Sequence, residues 1–420
     1  MVDVRIPYGK TQINIHIPEG KLLGVIKPKE RAGAVDPYSE VKSAMEKPIM
    51  TSKLREMAAP GDKVAIVVDD HTRKAPTRIM LPPILEELKE AGVKDEDITI
   101  IFACGTHRAV KPEEAVKLVG EDVTRRFKLV SHNCNAGDLV YVGKTSYGTK
   151  VSVNRVFAEA DLKILTGDVD LHYFAGYGGG RKSVLPGVSS AEAIQHNHAM
   201  LLHPKSTTGL LEGNPVHEDM TEAAKLSHVD YILNVVTNSR NELVKAFAGD
   251  LEKAFLEGVK LVDELYKVPI ERKADIVVVS PGGHPYDINL FQAYKGMDAA
   301  LRAVKDGGVL ITAAECPEGH GNEIFYEWIT KFGSIEEIEK EIKQNFVLGG
   351  HKAYYLLRAL KKVEIIMVSA MTEQQVRDIF HLNPAKSVDD ALREAFEIVG
   401  SDAEVWVMTH GNITLPTLKR

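Results

Sequence analysis

Short, uninterrupted runs of apolar residues recur along the chain and alternate with segments whose apolar residues are spaced three or four apart. The first pattern is typical of buried strands and occurs in KVAIVVDD (63–70), DITIIF (97–102) and LKILTGDVDL (162–171). The second predicts helices, such as MLPPILEELKEAG (80–92), which is closed by Gly92. Strands and helices in this alternation predict largely parallel sheets flanked by helices, which is an α/β fold.

The alternation starts again near Ala274 and predicts a second α/β region. ADIVVVSPGG (274–283) is a predicted strand, INLFQAYKGMDAALRAVKDGG (288–308) a helix ending at Gly307, and VLITAAEC (309–316) the next strand. Because 420 residues exceed one ordinary core, we expect two domains. The charged helical segment LEKAFLEGVKLVDELYKVPIERK (251–273) is the predicted connection, so we place the domains at 1–268 and 269–420.

Polar and glycine-containing segments follow the carboxyl ends of four predicted strands. These segments are Asp70–Arg73, Gly105–His107, His172 and Gly282–Tyr286. In open α/β sheets, ligands bind at this edge. Because the segments come from both halves of the chain, we expect an active site in the cleft between the two domains.

Composition excludes several other classes of protein. A formal net charge of −7 and the lack of a basic run argue against a nucleic-acid partner. Three cysteines, far apart and odd in number, do not make a disulfide framework. The amino terminus lacks a hydrophobic signal core, and no apolar run approaches the roughly 18 residues of a membrane span. We therefore expect a cytoplasmic protein without a membrane partner.

A glycine-rich loop lies between Leu171 and His198. Gly178, Gly179 and Gly180 can bring backbone N–H groups close to an anion, and Arg181 and Lys182 add positive charge. The loop fits neither a Walker A motif nor a dinucleotide fingerprint, because Arg181 stands where each needs a glycine. The pattern predicts a phosphate-bearing ligand; the alternative is a flexible glycine turn with exposed basic residues.

The segment after this loop is predicted to be a helix. Ser189 and Glu192 have the spacing of a capping box. Ile194, His198 and Leu202 then fall on one stripe, whereas His196 is turned roughly 160° away from His198. His198 is therefore either a histidine of the core or a metal ligand.

The stretch HYFAGYGGGRKSVLPG, with His172, Lys182 and His198, resembles the signature of the nickel-dependent lactate racemase family. DDHTRKAPT (69–77), CGTHR (104–108) and DINLFQAYKGMDAA (287–300) resemble the other site motifs of that family in the same order. The resemblance spans nearly the full chain. It implies an isomerase, a racemase or epimerase that inverts C2 of a 2-hydroxy acid.

The resemblance also implies the cofactor. In this family the lysine that matches Lys182 is covalently joined to a nickel pincer nucleotide (a pyridinium-3,5-bisthiocarboxylic acid mononucleotide), and the histidine that matches His198 binds the nickel. Separate maturation enzymes make this cofactor and are expected partners. The further residues expected to bind the cofactor are Asp70, Thr72, Gly178, Gly179, Gly180, Arg181 and Ser189.

The resemblance assigns acid–base catalysis to His107 and His172, one on each face of the substrate, while the α-hydride passes to the pyridinium ring. Histidine suits this role because its unperturbed pKa lies near 6.5. Asp70 is expected to bind the ribose or to orient Arg73, and Thr72 to bond the phosphate. The residues expected to bind the small-molecule substrate are Arg73, Gln292, Lys295 and Phe291.

Alternatives remain at the level of substrate and of class. Phe291 and His71 depart from the family pattern, which makes a sugar acid resembling gluconate the alternative to lactate or another short 2-hydroxy acid. A zinc hydrolase using His172, His196 and His198 is a second alternative, although residues two apart on a helix do not share a face. The third is a regulatory protein that binds a nucleotide through the glycine loop without catalysis.

Overall fold

The computed structural model describes residues 1–73 and 75–419. Its strands, numbered along the chain, are β1 (Val2–Tyr8), β2 (Thr11–Ile17), β3 (Leu22–Ile26), β4 (Val64–Val68), β5 (Ile98–Phe102), β6 (Lys128–Ser131), β7 (Val140–Lys144), β8 (Lys150–Val153), β9 (Leu162–Asp168), β10 (Leu171–His172), β11 (Gly176–Tyr177), β12 (Tyr231–Thr237), β13 (Leu243–Gly249), β14 (Lys267–Ile270), β15 (Ala274–Val279), β16 (Val304–Ala313), β17 (Glu364–Val368), β18 (Asn383–Pro384), β19 (Val405–Met408) and β20 (Leu415–Leu418).

The helices alternate with these strands. They are α1 (Pro37–Glu46), α2 (Leu54–Met57), α3 (Thr77–Glu90), α4 (Pro112–Val119), α5 (Glu121–Arg126), α6 (Arg155–Ala158), α7 (Ala191–Ala199), α8 (Pro215–Leu226), α9 (Lys253–Tyr266), α10 (Leu290–Ala300), α11 (Glu323–Lys331), α12 (Ile335–Gln344), α13 (Gly350–Leu360) and α14 (Val388–Val399). Within residues 1–73 and 75–419, no helix combines the length and apolar character that crossing a membrane requires.

The chain divides into two compact units. The first unit is Glu30–Glu264, and the second unit joins Met1–Lys29 to the chain from Leu265 onward. Residues 1–29 were predicted to belong to the first domain, but they lie in the second unit. The reason is a pairing across the length of the chain, because β3 runs parallel to β19 with Val25 beside Val407. Ile6, Ile15 and Ile17 are buried in the core of that unit.

The first unit is built on a six-stranded sheet in the order β13-β12-β9-β4-β5-β6. Every neighbouring pair is parallel except β12 and β13. β4 and β5 are buried along their whole length, as strands covered on both faces must be. Among its helices, α3 contributes the buried Met80, Leu81 and Ile84 to the core.

The second unit contains another six-stranded sheet, in the order β18-β17-β16-β15-β19-β3, in which all pairs are parallel. The predicted α/β fold with two largely parallel sheets is confirmed. The predicted helix 288–307 is shorter than expected, because α10 ends at Ala300. The backbone N–H of Ala274 bonds the carbonyl of Ala303, so the chain already runs beside β15 there and Gly307 lies within β16.

Candidate active site

Three motif-bearing strands are neighbours in the first sheet, in the order β9-β4-β5. Asp70 follows β4 by two residues, the turn Gly105–His107 follows β5, and a hairpin carrying His172 follows β9. Since these strands are parallel, their carboxyl ends meet at one edge of the sheet. The edge predicted from the sequence therefore gathers these chemistry-bearing residues of the first unit.

His107 is held by the carboxylate of Asp70. The His107 Nδ1 to Asp70 Oδ2 distance is 2.7 Å, and the hydroxyl and backbone N–H of Thr72 donate to Asp70 Oδ1 at 2.6 and 3.0 Å. Burial opposes the charge of Asp70, but its hydrogen bonds with His107 and Thr72 lower the pKa of the carboxyl below its usual range. A carboxylate only accepts hydrogen bonds, so Nδ1 carries the proton and Nε2 is the basic nitrogen.

The turn that carries His107 lies against the segment after the glycine loop. The backbone N–H of Gly105 donates to the carbonyl of Gly187 at 3.0 Å, and that of His107 donates to the carbonyl of Cys104 at 2.7 Å. Gly105 has a φ of +53°, and a Cβ there would lie 3.4 Å from Pro186. The space would admit a Cβ, so it is the positive φ that favours glycine at this turn.

His172 lies on the two-stranded hairpin β10–β11, paired with Gly176. The backbone N–H of Ala175 donates to His172 Nδ1 at 3.3 Å, which places the proton of the neutral ring on Nε2. His172 Nε2 lies 3.5 Å from Lys182 Nζ. The two predicted acid–base histidines therefore favour opposite tautomers at Nε2, unprotonated in His107 and protonated in His172.

Lys182 occupies a half-buried position in a 3₁₀ turn, Gly180–Ser183. Desolvation of its amine and the positive charges of Arg73 and Arg181 lower the pKa of Lys182 well below its usual value. The neutral amine is the nucleophilic form of lysine and can accept a hydrogen bond from His172 Nε2. The arrangement therefore favours a lysine that can form a covalent bond.

His198 is buried on α7, on the face that the sequence predicted, and His196 is exposed. His198 Nδ1 lies 3.1 Å from Asn197 Oδ1, while Asn197 Nδ2 donates to Asp219 Oδ2 and the carbonyl of Val216 at 2.8 and 3.1 Å. The two acceptors show which end of the Asn197 amide is the nitrogen, so Asn197 Oδ1 faces the imidazole of His198. The proton of the neutral His198 ring is therefore on its Nδ1.

Burial, together with the charge of Lys182, lowers the pKa of His198 to about 3. A neutral imidazole with its proton on Nδ1 presents the lone pair of Nε2, which is the form that binds a metal ion. A second hydrogen-bonding residue that fixes the tautomer is the usual support for such a ligand. Asp219, which also accepts from the hydroxyls of Thr145 and Thr149 at 2.5 and 2.9 Å, anchors this chain of contacts.

Phe174 lies at the centre of the three residues that carry the strongest motif. Its ring centroid is 4.5 Å from that of His172 and 5.1 Å from that of His198, with the rings edge to face in both pairs. Lys182 Nζ lies 5.7 Å from the same centroid. Phe174 is buried and was not among the residues predicted from the sequence, although it lies within the same motif.

The glycine loop packs closely on the end of β9 and differs from the predicted anion cradle. The N–H of Gly178 donates to the carbonyl of Asp170 at 2.8 Å, and that of Gly180 to Asn234 Oδ1 at 2.9 Å. A Cβ at Gly179, where φ is +74°, would lie 2.8 Å from the carbonyl of Asp168. These glycines are needed for close approach of the backbone, and two of their three N–H groups already have protein acceptors.

Arg181 also differs from its predicted role. Its guanidinium donates five hydrogen bonds, to His217 Nδ1 and to four carbonyls, those of Ala175, Tyr177, Gly178 and Gly179. Its charge lies 4.4 Å from the ring of Phe255. A guanidinium has five N–H donors, so all of them are used within the protein. Arg181 therefore holds the loop in shape, where the sequence suggested a contact with phosphate.

Other predicted residues of the first unit occupy distinct environments. Desolvation opposes the charge of the Arg73 guanidinium, but the carboxylates of Asp69, Asp70, Asp170 and Asp168 outweigh it and raise the pKa of this group. The hydroxyl of Ser189 is fully buried and donates to the carbonyl of Val184 at 2.7 Å. The helix cap is Ser190, whose hydroxyl accepts from Ala193 N–H, so the predicted cap is displaced by one residue.

The remaining predicted residues lie on α10 of the second unit. Lys295 is exposed, and Phe291 and Gln292 are partly buried one turn before it. The backbone carbonyl of Gln292 accepts from Asn412 Nδ2 at 3.2 Å. The predicted placement of Gln292 and Lys295 on neighbouring turns of one helix is therefore met.

Among residues 1–73 and 75–419, no group of three or more His, Cys, Asp and Glu side chains is arranged to hold a metal ion. His196 Nε2 lies 3.0 Å from the carbonyl of Tyr147, on the exposed side of α7. The zinc site considered from His172, His196 and His198 is therefore not formed. The geometry defines an α/β enzyme with a lysine of lowered pKa, a buried neutral histidine and an Asp–His pair at one sheet edge.

Comparisons with known proteins identify the family. Residues 8–209 match the lactate racemase N-terminal domain, and residues 270–414 match the lactate racemase C-terminal domain. The chain is 37% identical to a lactate racemase from Thermoanaerobacterium thermosaccharolyticum over 98% of both chains. It is 33% identical to one from Lactiplantibacillus plantarum, over 98% of this chain and 99% of that protein. The chain belongs to the lactate racemase family and is an isomerase.

Solved structures agree with this assignment. The structure of the lactate racemase apoprotein from Thermoanaerobacterium thermosaccharolyticum matches with a TM-score of 0.90, covering 99% of this chain and all of that one. A protein from Thermotoga maritima matches with a TM-score of 0.66 at 21% identity, over 93% of this chain and all of that one. The second match shows the fold alone.

Proposed function

We propose that this chain is a nickel-dependent racemase of lactate or a closely related short 2-hydroxy acid. The observation that carries the proposal is the arrangement of Lys182, His172 and His198 around Phe174, because it supplies a nucleophilic amine and a metal-binding imidazole next to an acid–base histidine. Lactate is the first choice because both curated relatives are named lactate racemase.

The residues fit a nickel pincer nucleotide. Lys182 would hold it covalently, since its lowered pKa favours the neutral, nucleophilic amine. His198 would supply a nitrogen ligand to the nickel, since Asn197 fixes the proton on Nδ1. A metal carried largely by its cofactor needs few protein ligands, which agrees with a single buried histidine at this position. When bound, the cofactor supplies an acceptor for the α-hydride, so that a 2-oxo acid forms transiently.

The acid–base steps belong to His107 and His172. His107 Nε2 takes the hydroxyl proton of one enantiomer, and the resulting imidazolium is stabilised by the Asp70 carboxylate 2.7 Å from Nδ1. His172, whose neutral ring carries a proton on Nε2, would protonate the substrate oxygen from the other side. The reverse reaction exchanges the two roles, as a racemase requires.

The substrate carboxylate is assigned to cationic side chains. Arg73, on the first unit, offers the bidentate fork that carboxylates prefer. Lys295, on α10 of the second unit, offers a compact charge for the carboxylate or the hydroxyl oxygen. Phe291 and Gln292 lie on the same helix and would contact the rest of the substrate. The size of the accepted acid is therefore set in part by Phe291.

The first experiment is the intact mass and nickel content of the protein made in cells that contain the cofactor-building enzymes. We expect an adduct on Lys182 with about one nickel per chain, while protein made without those enzymes carries neither. A relative already known as a lactate racemase, produced in parallel, is the control. An adduct on the relative and none here would contradict the proposal and favour reversible nucleotide binding.

Enantiopure acids then define the substrate. We expect D- and L-lactate to interconvert and gluconate to be converted very little. Chiral chromatography measures both conversions. If only polyhydroxy acids are epimerised, the substrate is a sugar acid, and the cofactor assignment stands without the choice of lactate. The panel should also include a bulkier aliphatic 2-hydroxy acid, because Phe291 is one of the residues proposed to contact the substrate.

A further inference from the structure

A buried lysine packs against α10, the helix that carries the proposed substrate-binding residues. Lys352, on α13, is only 1% exposed. Its Nζ lies 5.3 Å from the ring centroid of Phe291 and 4.9 Å from that of Tyr294, both on α10. An ammonium over two aromatic faces is attracted by their quadrupoles, so these contacts fix the lysine against the inner side of the helix.

Several cationic side chains lie near this position. Burial and the positive charge of Lys295 lower the pKa of Lys352 to about 7, whereas the carboxylate of Asp298 favours its charged form. Asp298 is shared, because Arg302 and Arg358 act on it as well as Lys352. Two of these cations, Lys352 and Arg358, lie on α13, and Arg302 lies in the turn after α10. Lys295 is a further cation, on the exposed face of α10.

A buried polar atom lies beside this cluster. The hydroxyl of Tyr294 is enclosed and has no hydrogen-bond partner among the described residues. Burying a hydroxyl without a partner is costly, and such groups in native proteins call for an explanation. The inner side of α10 therefore has two buried polar groups, the amine of Lys352 and the hydroxyl of Tyr294. Hydrophobic packing alone does not explain either of them.

We propose that Lys352 is a positioning residue for anionic substrates, a second cation that acts on the substrate carboxylate through Phe291 and the exposed face of Lys295. The proposal rests on the proposed function, in which Lys295 contacts that carboxylate. A buried charge is screened less than an exposed one, so its attraction extends across the ring to the surface of α10. The predicted anchor Lys295 is therefore one half of a pair.

The test replaces Lys352 in the full chain with methionine, which keeps the length and removes the charge, and with arginine, which keeps the charge. Binding of pyruvate and of its neutral amide, pyruvamide, is measured by calorimetry at about pH 6, where Lys352, with a pKa of about 7, is protonated. We expect Lys352→Met to weaken pyruvate binding about tenfold while pyruvamide binding stays unchanged. Lys352→Arg should bind pyruvate within about threefold of the original protein.

The matched control is Lys343→Met, which removes the same charge from an exposed lysine of α12 in the same unit. It should leave both affinities unchanged. If Lys352→Met binds pyruvate as well as the original protein, or if the original protein does not bind pyruvate, the proposal is overturned. Equal loss in the methionine and arginine variants, with a lower melting temperature in both, would identify a structural role and also reject it.

A kinetic readout separates this inference from the proposed function. In protein that carries the cofactor, Lys352→Met should raise KM for lactate about tenfold and leave kcat within about threefold, because the residue does not touch the reacting atoms. Failure of the cofactor adduct or of racemisation in the unaltered protein would reject the proposed function. The difference between pyruvate and pyruvamide binding would still decide the role of Lys352.

Discussion

Two lysines, one in each unit, have lowered pKa values but differ in the burial and the contacts of their amines. We propose that one is a reactive group and that the other acts through its charge. Desolvation and neighbouring cations lower the pKa of both Lys182 and Lys352. Lys182 is half-buried, and its amine lies 3.5 Å from the imidazole of His172. Lys352 is enclosed, and its ammonium faces the rings of Phe291 and Tyr294.

The difference shows that a lowered lysine pKa does not by itself identify a nucleophile. A nucleophile needs access to its partner and neighbours that handle protons, and Lys182 has both. The amine of Lys352 is enclosed against two aromatic rings, so in our proposal it acts through its charge. Structural cation clusters and reactive lysines share the same electrostatic signature, and geometry distinguishes them.

The largest effect is expected from Lys182→Arg. Arginine has a similar length but lacks a nucleophilic amine, so the covalent adduct should disappear and racemisation should fall by more than ~10³-fold. Intact mass and a chiral assay measure the two losses. The matched control is Lys225→Arg, at an exposed lysine of α8 that pairs with Glu252, and it should retain both. An adduct that persists in Lys182→Arg would place the attachment elsewhere.

The next largest effect concerns His107, the proposed base in the same unit as Lys182. Asp70→Asn removes the carboxylate that holds the proton on His107 Nδ1, so kcat should fall by roughly 10²–10⁴-fold in both directions. The adduct mass should be unchanged, because Asp70 does not hold Lys182. Glu113→Gln, at an exposed acid of α4 in the same unit, is the control. Unchanged kcat in Asp70→Asn would show that His107 needs no orienting carboxylate.

A smaller effect is expected on the metal. Asn197→Ala removes the acceptor for His198 Nδ1–H, so nickel retention during dialysis against a chelator should weaken about 10–100-fold. His196→Ala, on the exposed side of the same helix, should keep its nickel and so provides the matched control. Equal nickel loss in the two variants would mean that Asn197 does not orient the ligand.

The smallest effect is on stability, and it tests the lowered pKa of Lys352. The folded pKa of about 7 lies below the unfolded value of roughly 10.4, so the unfolded chain binds more protons between these two pH values. Stability should therefore rise with pH from about 7 to 10. The Lys352→Met variant should have a melting temperature a few degrees higher at pH 7. Its stability should also increase less between pH 7 and 10 than that of the original protein. An identical pH profile in the variant would contradict the shifted pKa.

Much of the fold followed from local patterns. The strands at 64–68, 98–102 and 274–279 and the face of His198 were predicted because burial on two faces or on one stripe leaves a periodic record in neighbouring residues. The place of residues 1–29 was not, because β3 pairs with β19 across almost the whole chain. Nothing in either strand specifies its partner.

The site was predicted by motif, and its chemistry only in part. The sequence located the glycine loop, but it could not reveal that all five N–H groups of Arg181 donate to backbone carbonyls and His217. It singled out Asp70 and His107 separately, and their 2.7 Å contact depends on β4 lying beside β5. Lys352 had no signal, because a lysine within a helical segment is usually exposed.

The sequence by itself determined the two α/β regions, the strand ends that carry the motifs and the order of those motifs, since these depend on residues close together in the chain. Only the tertiary structure decided which nitrogen of each histidine carries the proton, which glycine N–H groups are already bonded and which lysines are desolvated. Those properties depend on hydrogen-bond partners and burial supplied by residues distant in sequence, and so they exist only once the chain has folded.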